Sequence, residues 1–226
     1  MLLEKIESLK NTIHFEPLTS IALERYDLFQ NGNELRVELI SNASIKDVDF
    51  IIELCTVYGR PDLFDSATFS QYSMSVVLDY LKRTHAFYKE RMLPKMEMAI
   101  KSIQSQFPDH PVSAMLTHFY SNYQNELLEH IELEENRLFP YAESLYDGKK
   151  PENYSVVEFR YHHDHNIEDH LQTLLKMVET EFSDVAASFA YRAFKNMLVQ
   201  FKVDLNIHHK VEEEVFLCMV ESLERR

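Results

Sequence analysis

Hydrophobic residues recur at helical spacing along most of the chain, and polar residues fill the positions between them. From residue 73 onward this pattern predicts four long helices. The first runs roughly over 73–105 and contains Pro94, which should bend it or interrupt its hydrogen-bond ladder. The second opens near Pro111, a favoured first-turn residue, and reaches about 146. Asp147-Gly148-Lys-Lys-Pro151 reads as a loop. The third helix covers roughly 154–182, and the fourth begins after Ser183-Asp184 and continues to about 223. Two of the connections are short, so the helices pair as antiparallel hairpins. The predicted fold is all-α: an up-down-up-down four-helix bundle over 71–226, preceded by a small, mainly helical appendage over 1–70.

The appendage reads as shorter pieces. Leu3–Ile13, Ile21–Phe29 and Ile45–Tyr58 have helical periodicity, the last with Ser44 as N-cap. Phe15-Glu-Pro17, Asn31-Gly32-Asn33 and Gly59-Arg-Pro61 mark turns. Leu35–Ile40 alternates weakly, as a short strand would. The ligands and core pattern described below lie in the later segment. Residues 73–226 are therefore expected to fold and bind metal alone.

The apolar pattern repeats at an offset of 78 residues. Leu93, Met96 and Ile100 match Leu171, Leu174 and Val178. Leu116, Phe119 and Tyr123 match Phe194, Met197 and Phe201. Leu127, Leu133, Leu138 and Leu145 match Leu205, Val211, Phe216 and Leu223. The same offset carries polar residues. His130-x-x-x-Glu134 repeats as His208-x-x-x-Glu212, and 45 residues before each pair stand His85 and His163. Residues i and i+4 share a helix face, so each pair aims two donors at one place. Ligands and core repeating together indicate internal duplication.

This duplication gives the candidate metal ligands: His85, His130, Glu134, His163, His208 and Glu212. Imidazole and carboxylate projecting inward from facing helices are how bundles build di-iron and di-manganese sites. The ligand types suit iron, manganese or zinc. Two carboxylates able to bridge, with two histidines for each metal, favour a dinuclear centre over a single ion.

The offset also decides between neighbours. Adjacent helix residues point about 100° apart, so one of His162 and His163, and one of His208 and His209, faces the interior. The repeat selects His163 and His208. His162, His165, His170 and His209 are read as solvated or outlying, and Glu135, Glu213 and Glu214 as a solvated acidic face. Tyr88 is read as core. Glu90 and Glu168, five residues after His85 and His163, are open to a supporting role beside the ligands. Cys55 and Cys218 are read as buried, reduced thiols.

Composition narrows the function. A net charge of −14 argues against nucleic acid or an anionic membrane as partner. Only three glycines favour long helices. No apolar run is long enough to span a bilayer. With no secretory pattern in MLLEKIESLK, a cytoplasmic location is expected.

The segments Tyr80-Leu-Lys-Arg-Thr-His85, His130-x-x-x-Glu134-Glu-x-x-Leu-Phe-Pro140, His163-Asp164 and His208-x-x-x-Glu212 resemble those of hemerythrin-like domains, over about residues 73–224. The resemblance is closer to bacterial di-iron proteins that repair iron centres than to oxygen carriers. Oxygen carriers use five His with two carboxylates; repair-type proteins use four His and two Glu, the set counted here. The resemblance implies two iron ions, bridged by Glu134, Glu212 and an oxo or hydroxo group. It implies small diatomic ligands or peroxide as partners, and iron–sulfur proteins as clients in nitrosative and oxidative stress. A sensor or store of oxygen, nitric oxide or iron signalling through the N-terminal segment is the alternative. A di-iron nitric-oxide or peroxide reductase is another, so enzymatic activity stays open. A homo-oligomer is compatible with either. Two departures stand out. Repair-type relatives often carry a Cys-Cys pair in the N-terminal domain, where this chain has Cys55 alone. The second copy has Leu217-Cys218 where the first has Phe139-Pro140.

Overall fold

The computed structural model describes residues 18–30, 34–35, 48–149, 154–162, 167–180 and 185–225. The expected helix Leu3–Ile13, the Ser44 cap and His163 lie outside them. The fold is an all-α helical bundle. Among the described residues the only strands are the two-residue Phe29–Gln30 and Glu34–Leu35, paired antiparallel.

One compact unit comprises Met1–Phe87 with Asn206–Ser222. It contains α1 (Thr19–Glu24), α2 (Val48–Gly59), α3 (Ser66–Phe69) and α4 (Met74–Phe87). The helix expected over Ile21–Phe29 stops early. Asp27 takes a left-handed φ of 54°. The Leu28 amide then donates to the Leu23 carbonyl at 3.4 Å and the Asp27 amide to the Glu24 carbonyl at 3.2 Å. This double closure is the Schellman end of a helix, and it turns the chain into the first strand. Helix α1 packs on α2, and both bury apolar residues there, including Leu23, Phe50 and Leu54. At α3 the Asp65 carboxylate caps the helix, accepting from the Ala67 and Thr68 amides. Phe50 meets Phe69, Tyr72 and Tyr80 edge to face at 5.5, 5.1 and 5.8 Å between centroids.

The other unit comprises Tyr88–Leu205 with Leu223–Arg226. It holds α5 (Leu93–Gln106), α6 (Pro111–Leu133), α7 (Phe139–Tyr146), α8 (Val156–His162), α9 (Ile167–Thr180) and most of α10 (Phe189–Lys210). Helix α6 packs against α5 and α9. His110 accepts from the Val112 amide at 3.1 Å and so caps α6. Helix α10 starts at Phe189, later than the sequence suggested; Ser188 precedes it and accepts from the Arg192 amide at 3.1 Å.

Three π-helical segments interrupt the helices among the described residues: Tyr88–Met92, Glu134–Leu138 and Val211–Phe216. Pro94 and Pro140 follow the first two directly, in the opening turns of α5 and α7. A proline there has no N–H to give the ladder, and a wider turn just before it relieves the clash with the preceding carbonyl. The third segment runs into α11 (Leu217–Glu224) without a proline, so proline is not required for the wider turn.

The element boundaries carry the 78-residue offset. Pro111 and Phe189 open α6 and α10, and Phe139–Tyr146 corresponds to Leu217–Glu224. Most of the matched apolar positions are buried; Leu133, Met197 and Leu223 are half-buried, and at one turn Phe119 is 41% exposed and Tyr120 is buried instead. Leu116, Tyr120, Tyr123 and Leu127 follow the 3- and 4-residue steps of one helix face, which leaves Phe119 to the side.

Candidate metal centre

In the first unit, His85 sits in the last turn of α4, and His208 sits in the last turn of α10. Their ring centroids are 5.2 Å apart at 59°. Glu212 lies in the π-helical segment that follows α10, and its carboxylate is 3.9 Å from Nε2 of His208. All three side chains are buried, Glu212 fully. The segment 211–216 packs on α4 and α3, and this contact brings the end of the chain to His85.

In the second unit, Nε2 of His130 and the Glu134 carboxylate are 2.7 Å apart. Glu134 is fully buried and opens the π-helical segment after α6. Five of the six predicted ligands are thus described: His85, His208 and Glu212 in the first unit, His130 and Glu134 in the second. The sixth, His163, lies outside the described residues.

The donor chemistry fits a metal. An ionised carboxylate withdrawn from water is strongly disfavoured unless it is paired or coordinates a cation. Glu134 and Glu212 are both fully withdrawn, each beside an imidazole on its own helix. Imidazole with carboxylate suits iron, manganese or zinc.

Other residues separate from this set. Glu135 forms an ion pair with Lys89 at 2.7 Å, and Glu214 is exposed. His170 is exposed and bonded to Glu126 at 2.5 Å. Glu90 is exposed, which removes it from a supporting role. Tyr88 is core, its ring edge-on to Phe201 at 5.0 Å. The expectation for the thiols needs correction at Cys218, which is exposed. It lies on the outer face of α11, between buried Leu217 and Val220. Cys55 is buried, and desolvation pushes its thiol up to about 12, with Arg25 opposing the shift.

Sequence reasoning did not single out Arg25, which is buried among aromatic rings in the first unit. It stands outside the repeat, and no spacing links it to the ligand helices. Asp204, fully buried one turn before His208, was also missed; its position four residues ahead of a ligand was the available signal.

A comparison with curated proteins finds no match. The family model described as hemerythrin HHE cation binding domain matches residues 76–220, more than half of the chain. The matched span includes every candidate ligand. The chain belongs to the hemerythrin HHE cation-binding domain family.

Proposed function

We propose that this protein is a non-haem di-iron protein that binds small oxidants, namely nitric oxide, dioxygen or peroxide. It acts in the nitrosative and oxidative stress response, in the repair of iron–sulfur clusters. The observation that carries the reading is the pairing of each fully buried glutamate, Glu134 and Glu212, with a histidine one helical turn before it.

Bound iron supplies a change of oxidation state and a position for a small ligand. The chain's own residues do the rest. Glu134 and Glu212 provide the negative charge that offsets two cations. His85, His130 and His208 provide neutral nitrogen donors, and His163 completes the set by the repeat. In the second unit, buried Leu127, Tyr123 and Phe201 exclude bulk water. A dry surround strengthens each electrostatic contact at the ligands and limits entry to small molecules.

A second reading, a sensor that signals through the N-terminal segment, is favoured by two contacts. Phe50 and Tyr58 of α2 both meet Tyr80 of the ligand helix α4. Iron quantitation with optical spectra, before and after dioxygen and nitric oxide, tests the proposal. Transfer of iron to an apo-cluster acceptor supports repair. A stable, reversible oxygen adduct with no iron loss and no nitric-oxide chemistry overturns it in favour of sensing or storage. Sustained turnover without a client protein points to a reductase.

A further inference from the structure

Arg25 closes α1 in the N-terminal part of the chain and is only 5% exposed. Its guanidinium carbon lies 5.3 Å from the ring centroid of Tyr58, 5.4 Å from that of Tyr80 and 5.2 Å from that of Phe87. Nη1 donates to the Tyr58 hydroxyl and, at 3.4 Å, to the Tyr80 hydroxyl; the two hydroxyls are themselves 3.4 Å apart. Tyr80 in turn faces a candidate ligand. Its ring centroid is 6.4 Å from that of His208, at 49°, and His208 stands beside His85. One aromatic ring therefore separates a buried cation from an imidazole donor.

The choice of residue suits a permanent charge. Arginine does not lose its proton in proteins, and its guanidinium is weakly hydrated and stacks on aromatic faces. A cation enclosed by three rings is held in place, and salt screens it far less than a surface charge. A fixed positive charge beside a redox centre opposes a further gain of positive charge there. It therefore favours the reduced state.

We propose that Arg25 is a positioning residue for the metal centre. Its fixed charge, relayed through Tyr80 to His208, raises the reduction potential, so that the N-terminal segment sets the redox poise of the site. The inference rests on the di-iron reading above.

The test is the midpoint potential of the iron-loaded full chain, followed optically, for wild type, Arg25→Met and Arg25→Lys at low and high salt. Arg25→Met is expected to shift the midpoint to more negative values. Arg25→Lys, which keeps the charge, is expected to stay near wild type, and the offset between the variants should survive high salt. Melting of the metal-free proteins reports folding separately. If Arg25→Met does not fold, Arg25→Gln serves as the uncharged variant. An unchanged midpoint in the uncharged variant, or the same shift in Arg25→Lys, overturns the inference and leaves the di-iron reading standing. A wild type that takes up no redox-active iron overturns both.

Discussion

His85 and His208 are 123 residues apart in the chain, yet their imidazole centroids lie 5.2 Å apart. The contact follows from the packing of the π-helical segment 211–216 on α4. The wider turn begins just after Lys210 and carries Glu212 inward in the same step. Wider turns of this kind recur at functional sites because they re-aim side chains without ending the helix. Here one falls close after His85, one begins at Glu134 and one contains Glu212.

Metal content should depend on the carboxylates. Wild type made with iron available is expected to carry about two irons per chain. Glu134→Ala and Glu212→Ala should lose most of that metal, and His209→Ala, half-buried beside His208, should lose little. Elemental analysis of the purified variants decides; equal loss in all three would contradict the ligand assignment.

The N-terminal segment should matter for stability. Phe50 is fully buried against Phe69, Tyr72 and Tyr80. Phe50→Ala is expected to cost about 3–5 kcal/mol, from lost burial and the cavity left behind. Removing residues 1–70 deletes Arg25, Phe50 and Tyr58 from Tyr80 at once. Against the expectation that 73–226 suffice, these contacts predict that the truncated chain melts lower and holds less metal. Thermal melts and iron content of the two proteins check this.

The two thiols should react differently. Cys218 is exposed and Cys55 fully buried. A disulfide reagent should modify one thiol quickly in the native protein, and Cys218→Ser should abolish that fast phase. The second thiol should appear only on unfolding. Two fast thiols would contradict the burial of Cys55.

Cys55 also sets a pH dependence. Burial pushes its thiol up to about 12 in the folded protein from an ordinary 9.0, mainly through desolvation. The neutral thiol is favoured in the folded state, so this contribution is complete below pH 9.0 and is lost as pH rises toward about 12. Relative to wild type, Cys55→Ala should lose less stability between pH 9.0 and about 12, read by denaturant melts.

Asp27 holds a left-handed backbone, φ 54°. Such a conformation costs an ordinary side chain about 1–2 kcal/mol, and glycine none of it. Asp27→Gly should be at least as stable as wild type, and Asp27→Val should be less stable by about 1–2 kcal/mol. Melting temperatures in that order are expected; a stable Asp27→Val would show that the turn is not under strain.

The sequence by itself determined the helical class, the four long periodic segments and the pairs His130/Glu134 and His208/Glu212. These rest on local rules: a 3.6-residue period and the shared face of i and i+4. The 78-residue repeat also supplied His85, because duplication copies register as well as composition. Tertiary structure decided what no spacing encodes. The π-helical turns change the direction of a helix face midway, and α-helical periodicity cannot anticipate them. The early end of α1 depends on one left-handed residue, Asp27, which carries no glycine signal. The exposure of Phe119 and Cys218 follows from which side of a helix meets its neighbours. Arg25 gathers Tyr58, Tyr80 and Phe87 from positions 33, 55 and 62 residues away. A buried cation needs partners in space, and only the folded chain says which rings those are.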